Sequence, residues 1–221
     1  MQKNKENILV AGATGATGNK VVNLLKQSQY FNPIAMVRKE EQREQFEKNN
    51  IETVLGDLEQ DLSHTTKNID KIIFAAGSKG KKVVAVDQEG AKRLIDAGKK
   101  ERVNKFVMLS SMGADQPEKA GDMKEYMQAK ANADDYLRIS TLDYAIVRPG
   151  TLTNEAGLGK IKLGDQLDNS GEISRDDVAQ TLVRSLHDDA AHNRTFEILK
   201  GESLIADEMD KVAKRDEYVV K

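Results

Sequence analysis

Short, unbroken apolar runs alternate along this chain with longer amphipathic stretches, a pattern that predicts repeated strand and helix units around a parallel sheet. Strands are expected near 7–12, 33–38, 52–55, 70–76, 104–110, 143–148 and 194–199. Runs such as Ile72-Ile73-Phe74-Ala75-Ala76 and Phe106-Val107-Met108-Leu109 are continuous, as strands covered on both faces require. Helices are expected over roughly 16–28, 40–49, 82–100, 122–139, 175–187 and 202–215. Ser174 followed by Asp177 resembles a capping box at the start of one of them. The run from Arg38 to Lys48 mixes both charge signs around Phe46 and reads as a solvated helix face, its first residue excepted. The stretch 151–174, with Gly157, Gly159, Gly164 and Gly171, is the least regular and is expected to be a small substrate-side loop region. The expected fold is therefore a doubly wound, Rossmann-type α/β/α sandwich forming a single domain over 1–221.

Composition narrows the function more than the fold. Among 221 residues, 38% are hydrophobic and 32% charged, yet the net charge is only −2, which gives no support to a nucleic-acid partner. Cysteine is absent, so disulfides, thiolate metal sites and a cysteine nucleophile are excluded. The polar start, Met1 to Asn7, does not read as a signal peptide, and no apolar run approaches the ~20 residues of a membrane span. The expectation is a cytoplasmic protein handling a small molecule, with its oligomeric state open.

The strongest chemical signal is Gly12-Ala-Thr-Gly15-Ala-Thr-Gly18, placed between the first strand and the first helix. In that context Gly12 permits a tight exit from the strand, Gly15 lets a pyrophosphate approach the backbone, and Gly18 packs the helix onto the sheet. The N–H groups at the helix start around Ala16, with the hydroxyls of Thr14 and Thr17 nearby, would face negative charge. About 20 residues on, an acid would select NAD by bonding its 2′-hydroxyl, but this chain carries Arg38 followed by Lys39. A guanidinium suits a 2′-phosphate, so NADP(H) is the preferred cofactor, with NAD(H) possible. The run Lys79-Gly-Lys81-Lys82 follows the fourth strand and reads mainly as a solvated loop.

The Gly-x-x-Gly-x-x-Gly spacing resembles the short-chain dehydrogenase/reductase superfamily, particularly its atypical NmrA-like and sugar-epimerase-like NAD(P)-binding branch. Further segments agree: Gly56-Asp57-Leu58, Leu109-Ser110-Ser111, Tyr126-Met-Gln-Ala-Lys130, Val147-Arg148-Pro149-Gly150 and Ser174-Arg175-Asp176-Asp177-Val178-Ala179. The resemblance implies that Asp57 and Leu58 lie beside the adenine, and that Ala75, Ala76 and Gly77 lie beside the adenosine ribose and diphosphate, with Pro149 also in the cofactor site. It further implies that Lys130 holds the nicotinamide ribose and assists Tyr126, which exchanges a proton with a carbonyl or alcohol oxygen. Ser111, with Ser110 in reserve, would orient that oxygen. Only 71 residues follow Gly150, so the large substrate region of extended epimerases is mostly missing. Two functions stay open: an NADP(H)-dependent oxidoreductase or epimerase acting on a small carbonyl or hydroxyl compound, and a non-catalytic NADP(H)-binding redox-sensing or regulatory module. His64, His187 and His192 show no metal-ligand spacing, and Asp134-Asp135 and Asp188-Asp189 read as solvated pairs.

Overall fold

The computed structural model describes residues 5–78, 80–167 and 170–215. Seven strands fall where the apolar runs place them: β1 Glu6–Ala11, β2 Phe31–Val37, β3 Glu52–Leu55, β4 Lys71–Phe74, β5 Lys105–Leu109, β6 Asp143–Pro149 and, later in the chain, β10 Arg194–Lys200. The segment expected to be irregular instead holds three short strands, β7 Thr151–Thr153, β8 Lys160–Gly164 and β9 Glu172–Ser174. A two-residue strand, β11 Ser203–Leu204, follows β10. The main sheet runs β11-β8-β10-β6-β5-β4-β1-β2-β3, while β7 and β9 pair separately. Every pairing from β10 across to β3 is parallel, and β8 joins β10 antiparallel. Strand order reverses at β1, where Val10 stands between Ala35 of β2 and Ile73 of β4. Such a switch point opens a crevice at the carboxyl edge of the sheet.

Because successive side chains of a strand point to opposite faces, the continuous apolar runs divide cleanly into two cores. Ile8, Val10, Ile73, Val107, Val147, Phe196 and Ile198 meet α1 (Ala16–Gln27), α2 (Glu40–Glu47), α5 (Arg175–Arg184) and α6 (Ile205–Arg215) on one face. Leu9, Ile72, Phe74, Phe106, Met108 and Ile146 meet α3 (Glu89–Glu101) and α4 (Lys124–Arg138) on the other. No helix among the described residues is long and apolar enough to cross a membrane.

Two helix expectations need correction. The single helix expected over 82–100 is a π-helical turn, Val83–Gln88, leading into α3. The helix expected from 122 begins at Lys124, after two short 3₁₀ turns at Pro117–Lys119 and Gly121–Met123. At the amino edge of the sheet, Lys71 and Lys105 are register partners on β4 and β5 and both are buried. Lys71 reaches Glu6, Asp188 and the Leu186 carbonyl, while Lys105 donates to the carbonyls of His187 and Ala190. Burial first, and then the neighbouring Lys71 charge, lower the Lys105 ammonium to about 8. Both cations thereby hold the carbonyls of the turn at 186–190 that follows α5.

Candidate functional site

The glycine turn sits at the switch point, and its three glycines do different work. Gly12 has φ +87°, and a Cβ there would lie 2.6 Å from Ala76 backbone atoms, so only glycine lets β1 pass the end of β4. At Gly18 a Cβ would meet the Gly12 carbonyl oxygen at 2.1 Å, which makes this glycine a condition for docking α1 against the turn. Gly15 differs: its φ of −75° suits any residue, and its Cβ would meet one atom, the Gly12 oxygen, at 3.1 Å. The fold therefore explains Gly12 and Gly18 but leaves Gly15 unexplained. Gly15 also starts α1 without a side-chain cap, and no acid occupies the helix's first turn, so its leading N–H groups carry undiminished positive potential. Thr14 and Ala16 are exposed beside it, whereas Thr17 is buried.

The remaining predicted cofactor residues share this edge. Ala75 donates its N–H to the Ala11 carbonyl, which places Ala75, Ala76 and the exposed Gly77 directly beside the glycine turn. Gly56 bonds the Val37 carbonyl, bringing the Asp57 loop next to Arg38. Arg38 is exposed; its backbone N–H is held by the Gln42 side chain, and its guanidinium has no ion pair among the described residues. Asp57 is half-buried and accepts the N–H of Glu59, two residues on. The Leu58 side chain, 6% exposed, packs under Gly90 in the core, so it offers little surface to an adenine. Lys82 bridges to Glu59 at 2.7 Å, Lys81 is exposed, and Lys79 lies outside the described residues.

Of the candidate catalytic residues, Tyr126 and Lys130 sit on α4, and Lys130 reaches the end of β5. The Lys130 ammonium, on a side chain 4% exposed, lies 5.7 Å from the centre of the Tyr126 ring, as the four-residue spacing on α4 requires. It is held by the Leu109 carbonyl at 3.3 Å and by Asp87 Oδ1 at 3.6 Å, both long contacts. Ser111, two residues past Leu109, is half-buried, and its hydroxyl makes one 3.4 Å contact with the Met112 carbonyl. Met112 in turn bonds the carbonyl of Pro149, tying this loop to the end of β6. Ser110 is unsuited to the reserve role, because its buried hydroxyl is spent on Asp134 at 2.8 Å.

Asp134 also corrects the expectation of a solvated pair: it is fully buried. Arg148 holds it with Nε at 3.0 Å and Nη2 at 2.9 Å, and the same guanidinium reaches Asp115 at 3.4 Å. Burial pushes the Asp134 carboxyl up, against the pull of Arg148 and Ser110. His187 packs its ring against Phe31 at 5.0 Å, and burial lowers it. Ser174 does cap α5, accepting the Asp177 N–H, while the Asp177 carboxylate accepts from Ser174 Oγ and from the N–H groups of Leu158 and Gly159.

Asp87 escaped sequence reasoning altogether. It is 1% exposed on the π-helical turn; Oδ2 accepts the Ser78 N–H at 3.0 Å, and Oδ1 accepts no hydrogen bond among the described residues. A signal was there: Asp87 is four residues after Val83 and four before Ala91, both buried, so helical periodicity puts an acid on the core face.

Comparison with known proteins bears on the family and the fold. A protein from Bacillus subtilis described as an uncharacterized sugar epimerase, YhfK, is 37% identical over 213 residues, covering 93% of this chain and 99% of its own. A solved structure described as a putative NAD-dependent epimerase/dehydratase from Bacillus halodurans superposes with a TM-score of 0.88 at 34% identity, covering 95% of this chain and 99% of the other. The oxidoreductase ylbE from Lactococcus lactis superposes at 0.84 with 29% identity, covering 94% and 97%. The profile of the NAD(P)H-binding family matches residues 12–189, from the first glycine of the turn into the loop after α5. The chain belongs to the NAD(P)H-binding family.

Proposed function

We propose that this protein is an NADP(H)-dependent oxidoreductase or epimerase acting on a small carbonyl or hydroxyl compound. The observation that supports this reading best is the pairing of Tyr126 and Lys130 on α4, with the buried ammonium 5.7 Å from the ring centre and 3.3 Å from the Leu109 carbonyl at the end of β5. The cofactor fits the residues present: Gly15 leaves room that the fold does not need, and the uncapped start of α1 is a site for a diphosphate. Gly12 to Gly18, Ala75 to Gly77, Asp57 and Pro149 would hold it, with Arg38 at the adenosine end. A bound nicotinamide supplies the hydride chemistry. The chain's own groups supply the rest: Lys130 donates to a ribose hydroxyl, Tyr126 gives or takes a proton at the substrate oxygen, and Ser111 donates to that oxygen. The strands and turns of 151–174, following Pro149 and Gly150, form the substrate side. The epimerase and oxidoreductase descriptions of the relatives support the same chemistry.

Arg38 supports the phosphorylated cofactor, since its exposed guanidinium has no ion-pair partner to give up among the described residues. NADPH should raise the melting temperature more than NADH; a ligand at 100 times its dissociation constant stabilises by about 2.7 kcal/mol. Arg38→Glu should reverse the order by repelling the 2′-phosphate. Equal shifts with both cofactors would remove Arg38 from the selection.

Turnover is tested separately with a panel of small aldehydes, ketones and quinones. Tyr126→Phe should lower turnover of any accepted substrate by roughly 10²- to 10⁴-fold while NADPH affinity, measured by calorimetry, hardly changes. Unchanged turnover would exclude Tyr126 from the reaction. Complete inactivity of the unaltered protein across the panel, with NADPH still bound, would favour the redox-sensing alternative.

A further inference from the structure

Asp87 has no place in the chemistry above, yet it touches two parts of it. One carboxylate oxygen holds the N–H of Ser78, at the end of the Ala75–Ser78 loop beside the glycine turn. The other lies 3.6 Å from the Lys130 ammonium. Both side chains are almost entirely buried, at 1% and 4% exposure, so neither charge is offset by solvent. The segment carrying Asp87 is wound as a π-helical turn, a form that is rare and concentrated at functional sites. Gly77 completes the arrangement, since a Cβ there would stand 3.3 Å from Asp87 Oδ1.

Resting on the cofactor reading above, we propose that Asp87 is a positioning residue that couples Lys130 to the Ala75–Ser78 loop. A single rigid carboxylate spans the two, so the ammonium that meets the nicotinamide ribose is held in register with the backbone that meets the rest of the dinucleotide. A purely structural ion pair would stabilise the fold without linking its two ends in binding. Coupling, by contrast, makes the contribution of Asp87 to cofactor affinity depend on the presence of Lys130.

A double-mutant cycle on NADPH affinity separates these cases. Asp87→Asn is isosteric and retains an acceptor for Ser78, but it loses the charge that fixes Lys130. It should weaken NADPH binding about tenfold in the otherwise unaltered protein and less than about twofold in a Lys130→Met background. Equal losses in both backgrounds would overturn the proposal and leave the cofactor reading intact. Failure of the unaltered protein to bind either NADPH or NADH would overturn both. A second measurement needs no change at Asp87: Lys130→Met alone should speed hydrogen exchange of the Ser78 amide about tenfold, because an unpaired buried charge destabilises the turn that carries Asp87 and its opening exposes that N–H. Unaltered exchange at Ser78 would likewise overturn the coupling.

Discussion

Gly15→Val is expected to weaken NADPH binding by roughly a thousandfold, about 4 kcal/mol, while the protein stays folded. The backbone at Gly15 already has φ −75° and ψ 163°, a conformation valine adopts readily. Its Cβ would press on a single atom, the Gly12 oxygen at 3.1 Å, which a shift of a few tenths of an ångström relieves. The branched side chain would then fill the space in front of the α1 N-terminus, where a pyrophosphate must approach the N–H groups. Gly18→Ala makes the contrast, because its Cβ would stand 2.1 Å from the Gly12 oxygen and the turn would have to come apart. Calorimetric titration beside a thermal melt decides the matter. A folded Gly15→Val protein that binds NADPH normally would mean that the phosphates sit elsewhere.

The largest loss of stability is expected from Arg148→Met. This substitution retains the aliphatic stem but strips Asp134, which is fully buried, of its only cation in hydrogen-bonding contact among the described residues. Removing one partner of a buried pair costs about 3–5 kcal/mol, since the other charge stays in a low-dielectric surrounding. For a protein of this size that corresponds to a fall in melting temperature of roughly 6–20 °C. The double substitution Arg148→Met with Asp134→Leu should recover most of the loss, because no buried charge remains. A single variant that melts within 2 °C of the parent would show that Asp134 is carried as a neutral acid, a state that burial already favours.

Local signals gave the architecture and the cofactor turn, whereas the polar interior was hidden. Runs such as Ile72-Ile73-Phe74 reveal a strand because burial on both faces leaves no polar alternation, and Gly12, Gly15 and Gly18 stand out because each sits where a strand turns into a helix. Asp134 and Arg148 belong to different elements, and nothing local tells a buried acid from the solvated ones beside it, such as the exposed Asp135. The π winding at Asp87 was obscured by the smooth run from Val83 to Glu101, which has helical periodicity throughout and carries no mark of the change from π to α winding at Glu89. Strands β7 and β9 have three residues each, too few for a period of two to register.

The two ends of the main sheet bear on how copies of this chain meet each other. At one end β3 has only four residues and carries the exposed Glu52; at the other, β8 is half covered by two-residue β11 and displays the exposed Lys162. Short and charged borders of this kind are poor templates for an incoming strand. A parallel core of buried apolar runs, which would be prone to stacking edge to edge, is thus closed off at both margins, and protection against aggregation is built into the order in which the strands are laid down.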